Sequence, residues 1–106
     1  MRRPIMTSLG LSNNTLRSMK RLGENIQIAR KRRRMTIFEL ALRVGVDRKT
    51  IMRLEKGDPS CSIGTLAMTL DILGLILSFN QLADPSLDKV GLALEINRLP
   101  KRVRSE

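Results

Sequence analysis

The segment from Val44 to Gly57 carries the side chains best suited to bind a polyanion. Its apolar residues Val46, Ile51 and Leu54 would share one side of a helix, which can therefore be buried along that side. Arginine can donate two parallel hydrogen bonds to guanine O6 and N7, lysine can reach the same atoms as a point charge, and threonine suits a phosphate or a thymine methyl. The residues predicted to read bases are Arg48, Lys49, Thr50 and Arg53. Met52 is interpreted as a groove wall or partly exposed filler in preference to a hydrophobic base contact.

Further cationic and hydroxyl side chains flank this helix in the sequence. The run RKRRR, from Arg30 to Arg34, places basic residues in direct succession. Such side chains can bind phosphates and set the register of a protein on duplex DNA without reading its sequence. The residues predicted to contact phosphates are Arg33, Arg34, Thr36, Arg43 and Lys56.

Charge is unevenly distributed along the 106 residues, whose formal net charge is +10. Residues 1–56 hold 15 basic and 4 acidic residues, residues 57–97 hold 1 basic and 5 acidic, and residues 98–106 hold 4 basic and 1 acidic. This asymmetry predicts two surfaces with different partners, and nucleic acid is expected on the basic one. The only aromatic residues are Phe38 and Phe79, which argues against an RNA-binding surface that stacks bases on aromatic rings.

The composition disfavours several classes of chemistry. The sequence has no histidine, no spacing typical of metal ligands and no nucleophile–base pair, so we predict neither an enzyme nor a metal or cofactor site. The single cysteine, Cys61, cannot form an internal disulfide and is interpreted as an inert loop thiol in a reducing compartment. No run approaches the ~20 apolar residues of a membrane span, and we expect a cytoplasmic protein.

Short helices with clear end signals would hold these side chains in place. Thr36 and Glu39 form a T-x-x-E capping box that predicts a helix start, and Gly45 stands where that helix should end. Asp47 can cap the next helix, which Gly57 would end. This is the layout of a helix-turn-helix, whose second helix lies in the major groove with its first turn toward the base edges. A solvated basic face is the ordinary interpretation of one such helix, but the combination favours DNA binding.

The flanking segments complete the predicted organisation. We predict a first helix from Ser18 to about Arg33 and a fourth from Ile63 to Leu73. The predicted regions are a flexible N-terminal arm (1–15), the helix-turn-helix domain (16–74), a dimerisation strand and short helix (75–97), and a basic tail (98–106).

The segment LILSFNQL, Leu75 to Leu82, alternates in the manner of a β-strand. Since the rest of the chain offers no second strand, this strand should pair with that of another copy across a two-fold axis. The residues predicted at this homodimer interface are Leu75, Leu77 and Phe79.

From Ile26 to Gly57 the sequence resembles the Xre/Cro family of phage-type repressors. The motifs that carry the resemblance are I-x-x-A-R (Ile26, Ala29, Arg30), E-L-A (Glu39, Leu40, Ala41), the turn (Val44, Gly45, Val46) and E-x-G (Glu55 to Gly57). The resemblance implies an all-α, lambda-repressor-like domain of four to five helices and an ion pair between Arg30 and Glu55. Two departures stand out: Ile37 replaces the usual glutamine at the start of helix two, and Arg34 replaces the usual glycine before it.

The C-terminal segment is similar to a narrower group, the HipB-like antitoxins encoded beside HipA-like serine/threonine kinase toxins. The similarity rests on a strand after LGL, an acidic-Pro break and the terminal L-P-K-R-V-R, Leu99 to Arg104. It implies a homodimer that binds a palindromic operator, represses its own toxin–antitoxin operon at the bacterial nucleoid, and associates with a HipA-like kinase toxin or another toxin-system subunit. The alternatives are a stand-alone phage-like repressor and a general RNA-binding basic protein.

Overall fold

The computed structural model describes residues 10–98. Within this range the chain forms six helices and no strand: α1 (Asn13–Arg32), α2 (Ile37–Val44), α3 (Arg48–Glu55), α4 (Ile63–Ile72), α5 (Ile76–Phe79) and α6 (Lys89–Arg98). A 3₁₀ turn at Pro85–Leu87 precedes α6. The prediction of an all-α domain is therefore confirmed for these residues. The chain divides into two compact units, with the division between Ile76 and Leu77.

The first helix begins earlier than the predicted Ser18. Its N-cap is Ser12, whose hydroxyl accepts a hydrogen bond from the backbone N–H of Thr15 at 3.1 Å. Residues 13–15, part of the predicted flexible arm, are therefore helical. The rest of that predicted arm, residues 1–9, and the basic tail after residue 98 lie outside the described residues.

The core of the first unit is built from one side of each of its four long helices. α1 packs against α3, and α2 packs against both α3 and α4. The buried apolar side chains are Ile26, Ala29, Leu40, Ala41, Val44, Ile51, Leu54, Leu70 and Leu73. These positions recur at the i, i+3, i+4 spacing of amphipathic helices. As a result, α3 is held along one side and its cationic side stays open.

The helices α1 to α4 end in the same hydrogen-bonded motif, in which a residue of positive φ follows the helix. The next N–H then donates to the carbonyl five residues earlier, in the pairs Met35–Arg30, Val46–Ala41, Asp58–Arg53 and Leu75–Leu70. Glycine holds the positive-φ position after three of these helices, but after α1 the residue is Arg34, with φ 56°. Because an L side chain is strained in this conformation, Arg34 costs on the order of 1 kcal/mol relative to glycine.

The structure corrects the strand predicted over Leu75–Leu82. Ile76–Phe79 form a single helical turn, and the N–H groups of Asn80, Gln81 and Leu82 donate to carbonyls three residues earlier. The segment meets its backbone hydrogen bonds locally, so it needs no neighbouring strand.

The three residues predicted at the homodimer interface therefore do not lie on a strand. Leu75 follows the end of α4 and is half-buried, while Leu77 and Phe79 belong to α5. Alternating apolar residues over so short a run do not separate a strand from a helical turn, and here the local hydrogen bonds decide in favour of the turn.

A buried ion pair joins three elements of the first unit. Nε of Arg30 in α1 donates to Glu55 Oε2 at 2.6 Å, and Nη2 donates to Oε1 at 3.0 Å. Nη1 of the same arginine donates to the carbonyl oxygen of Met35, between α1 and α2, at 2.9 Å. The two side chains are only 7% and 3% exposed. The guanidinium group of Arg30 therefore links α1, the α1–α2 connection and the last residue of α3.

Gly23 explains how closely α1 approaches that end of α3. A Cβ atom built at this position would lie 2.5 Å from the backbone oxygen of Glu55 and 2.7 Å from that of Leu54. Only glycine fits against backbone at such a distance, so the glycine inside α1 is a packing requirement and does not mark a helix break.

We expect the variants Arg30→Met and Glu55→Gln each to lower the free energy of unfolding by about 3 to 5 kcal/mol, because each leaves a buried charge without its partner. The double variant should lose less than the sum of the single losses. Urea unfolding followed by far-UV circular dichroism measures both quantities.

The pair Arg53 and Asp58 serves as the matched control. Its Nε–Oδ2 distance is 3.9 Å and its side chains are 49% and 31% exposed, so the cycle Arg53→Met with Asp58→Asn should show a coupling of only ~0 to 1 kcal/mol. A coupling between Arg30 and Glu55 no larger than this control would contradict a structural role for the buried pair.

Candidate nucleic-acid interface

The start of α3 is defined by Asp47. Its carboxylate accepts hydrogen bonds from the backbone N–H of Thr50 at 3.1 Å and from the Thr50 hydroxyl at 3.2 Å. These bonds hold the pKa of Asp47 below its usual value, so the cap is ionised at neutral pH. The first turn of α3, which begins with Arg48 and Lys49, is therefore presented in one defined orientation.

The N-terminal turns of α2 and α3 open onto one shared cleft of about 660 Å³. Both helix starts carry the partial positive charge of their helix dipoles, and the side chains of Arg48 and Lys49 add two full charges. The cleft is lined by Arg30, Thr36, Ile37, Phe38, Arg48, Lys49 and Met52. Two helix starts and two exposed cations around one concave surface suit phosphate oxygens and the acceptor atoms of base edges.

Thr36 belongs to this cleft and also caps α2. Its hydroxyl accepts from the backbone N–H of Glu39 at 3.0 Å, and the Glu39 carboxylate accepts from the backbone N–H of Thr36 at 2.8 Å. Since the hydroxyl oxygen is the acceptor in the first bond, its hydrogen can be donated to a phosphate.

The structure separates the four residues predicted to read bases. Arg48 and Lys49 lie together in the cleft and are exposed. Thr50 is half-buried, and its hydroxyl donates to the N-cap carboxylate. Arg53 is exposed but is not among the residues lining the cleft, and its Nε lies near Asp58 in the loop after α3. The geometry therefore concentrates base-contacting potential in Arg48 and Lys49.

Two of the residues predicted to contact phosphates cluster at the end of α1. Nη1 of Arg33 donates to the carbonyl oxygen of Ala29 at 2.7 Å, which satisfies one of the free carbonyls of the last turn. Arg34 follows in its positive-φ conformation with an exposed side chain. Both cations come shortly before Thr36, the N-cap of α2, but neither is among the residues that line the cleft.

Arg43 and Lys56, which were also predicted to contact phosphates, lie away from the end of α1. Arg43 is exposed in the last turn of α2, at the far end of that helix from the cleft. Lys56 lines a second groove, of about 510 Å³, together with Lys20, Glu24, Gln27, Ile37, Met52 and Glu55. Because Ile37 and Met52 line both grooves, they form the ridge between them.

Lys20 and Phe38 line these two grooves but are not among the residues predicted from the sequence. Lys20 shares one side of α1 with Glu24 and Gln27, a spacing of i, i+4, i+7 that could have placed all three in the same groove. Phe38 falls outside the i, i+3, i+4, i+7 series of apolar positions that begins at Ile37 and marks the side of α2 turned toward the core. Its place outside that series was the available signal for an exposed aromatic ring.

Other classes of site receive no support from the described residues. Between residues 10 and 98, no group of three or more His, Cys, Asp or Glu residues could hold a metal ion. No helix in that range is long and apolar enough to cross a membrane. Partial burial, with the charge of Asp58, raises the pKa of the Cys61 thiol, so the reactive thiolate is disfavoured at neutral pH.

The comparisons with known proteins agree with this geometry. The family model of the Cro/C1-type HTH DNA-binding domain matches residues 25–78, just over half of the chain. The matched range includes the last turns of α1 and all of α2, α3 and α4. Searches among curated proteins and among solved structures give no match. The chain belongs to the family of Cro/C1-type helix-turn-helix DNA-binding domains.

Proposed function

We propose that the protein is a sequence-specific transcriptional repressor that binds duplex operator DNA. The observation that carries this proposal is the cleft in which Arg48 and Lys49 of α3 stand beside Thr36 of α2. The opposite side of α3 is buried through Ile51 and Leu54, which leaves the cationic side as the surface available to a ligand.

In the proposed complex α3 lies in the major groove, because a helix held along one side can present the first turn of its other side to base edges. Arg48 bonds guanine O6 and N7, and Lys49 contacts a neighbouring acceptor. Thr36, Arg33 and Arg34 contact phosphates and set the register. An association with the bacterial nucleoid follows from such binding.

We expect Arg48→Ala to cost roughly 1 to 3 kcal/mol of binding free energy on the selected operator and little on random duplex. The reason is that a base-contacting arginine distinguishes sequences, whereas a phosphate-contacting one does not. Fluorescence anisotropy on both duplexes between about 50 and 200 mM salt measures this difference.

Wild-type affinity should fall steeply with salt as phosphate contacts release counterions, and either a flat salt dependence or tighter binding to RNA would contradict the proposal.

The residue Arg34 gives the matched test of phosphate contact. Both Arg34→Ala and Arg34→Gly should weaken binding to operator and to random duplex by the same factor, because each removes one phosphate-contacting charge. Only Arg34→Gly should also raise the free energy of unfolding, by about 1 kcal/mol, because it relieves the positive φ. Equal stability of the two variants, or a loss confined to the operator, would contradict this assignment.

The homodimer stays part of the proposal, but we place its interface on the apolar surface of the second unit. None of the residues 77–97 is buried. Seven of the large apolar side chains in this segment are more than half exposed: Leu77, Leu82, Leu87, Val90, Leu92, Leu94 and Ile96. Exposed apolar area of this extent marks an interaction surface. A second copy is the occupant we propose, because two copies would present two α3 helices to the two halves of a palindromic site.

Replacing Val90 and Leu94 by aspartate should convert a dimer into a monomer at micromolar concentration. The two residues are one turn apart on α6 and are 72% and 58% exposed, so the charges disturb an interface without disturbing a core. Analytical ultracentrifugation measures the change, and Leu42→Asp in α2, at a residue 69% exposed, is the control that should remain dimeric. A monomeric wild-type protein, or a dimeric double variant, would rule out this surface.

We further propose, on the similarity to HipB-like antitoxins, that the repressor belongs to a toxin–antitoxin operon and associates with a HipA-like kinase toxin or another toxin-system subunit. Part of that similarity is lost, because a helical turn replaces the strand after LGL, and Leu99 to Arg104 lie outside the described residues. Support comes from the net acidity of residues 57–97, which differs from the basic charge of residues 1–56 and suits a different partner. Co-purification with the product of a neighbouring kinase gene tests this role, and a gene without such a neighbour favours the stand-alone repressor.

A further inference from the structure

The cleft at the start of α2 and α3 contains apolar side chains as well as cations. Ile37, Phe38 and Met52 line it together with Arg48 and Lys49. Phe38 is 57% exposed and Met52 is 43% exposed. A surface that bound only phosphates would be expected to carry polar side chains at these positions, since phosphate oxygens offer nothing to an apolar contact.

Neither exposed residue is needed to complete the helix side that faces the core. The buried residues of α2 are Leu40, Ala41 and Val44, and Ile51, the neighbour of Met52, is itself fully buried. Exposing a large apolar side chain costs free energy in proportion to its area. Its presence beside two cations therefore points to a ligand that offers anionic and apolar atoms side by side.

Duplex DNA offers that combination in the major groove. The C5-methyl group of thymine is the apolar group that the base pairs present there, next to the acceptor atoms of the purines. We infer that Met52 contacts a thymine methyl in each half-site, while Phe38 and Ile37 form the walls that exclude water from this contact. The inference rests on the proposed function and adds a specificity determinant to the same interface.

The helix geometry also gives the position of the thymine. Met52 follows Arg48 by four residues, so the two side chains share one side of α3 and are displaced by about 6 Å along its axis. Base pairs are spaced by about 3.4 Å along the duplex. Since any inclination of α3 shortens this displacement along the duplex axis, the thymine lies within about two base pairs of the base contacted by Arg48. Methionine suits this contact because its flexible thioether chain adapts to an irregular apolar surface.

The test uses deoxyuridine, which differs from thymidine only by the missing methyl group. An operator is first selected from random duplexes with the wild-type protein, and each thymine is then replaced singly by deoxyuridine. At one thymine in each half-site, the replacement should lower the affinity of the protein for the operator about fourfold, which is the contribution of one buried methyl-sized group. Met52→Ala should bind the thymine operator about as weakly as the wild-type protein binds the deoxyuridine operator. Replacing that thymine by deoxyuridine should not weaken the binding of Met52→Ala any further.

Two control variants distinguish this contact from contacts made by other side chains. Met68→Ala removes a methionine of similar exposure, 46%, from α4, outside the cleft-lining residues, and should retain the full sensitivity to deoxyuridine. Thr50→Ser keeps the hydroxyl that donates to Asp47 but removes the threonine methyl, and it should retain that sensitivity too.

The possible failures can be told apart. If no duplex is selected, the proposed function is wrong and this inference falls with it. If an operator is selected but no deoxyuridine replacement weakens binding, the inference alone is overturned. It is also overturned if the sensitivity persists in Met52→Ala or disappears in Thr50→Ser, because the methyl contact then belongs to another side chain.

Discussion

The buried pair of Arg30 and Glu55 determines where α3 lies relative to α1. Removing two charges from water is costly, and the cost is offset only where their hydrogen bonds are complete. Here both carboxylate oxygens accept from the guanidinium, and its remaining arm bonds the Met35 carbonyl. No buried side-chain nitrogen or oxygen in the described part of the chain lacks a partner. Because Glu55 is the last residue of α3, this bidentate contact holds the end of the helix whose first turn carries Arg48 and Lys49.

The connection after α1 shows a conflict between stability and charge. The helix ends of α2, α3 and α4 use glycine where φ is positive, but Arg34 occupies the equivalent place after α1. A glycine there would relieve strain and would remove an exposed cation. In the proposed complex with DNA, the arginine favours binding at the expense of stability, a trade-off known from functional sites.

The two units differ in how they use apolar residues. The first unit buries a set of apolar residues between its helices and also exposes several large ones, among them Phe38 and Met52 at the cleft. The described part of the second unit buries none, although α6 is rich in Leu, Val and Ile. A short helix of this composition gains stability mainly by packing against another surface. The first unit thus has the features of a self-contained binding domain, and the second has those of an attachment surface.

The limits of the helices were determined locally, and the sequence was sufficient to predict most of them. Thr36, Asp47 and Ser62 cap α2, α3 and α4 through hydrogen bonds that reach only three residues along the chain. Such interactions depend on neighbouring residues, so capping patterns and glycine positions identified the helix-turn-helix. The predicted start of α1 is wrong because Ser12 caps that helix. The predicted strand is wrong because Ile76–Phe79 form a helical turn.

Tertiary structure decided which side chains meet. Arg30 and Glu55 are 25 residues apart, and their pairing was implied only by a family resemblance until the packing of α1 on α3 brought them together. The same packing explains why glycine is required at position 23 of α1. The gathering of Phe38, Arg48 and Met52 around one cleft, and the exclusion of Arg53 from it, depend on the angle between α2 and α3. That angle is set by the fit of buried side chains from separate helices, which local sequence patterns do not encode.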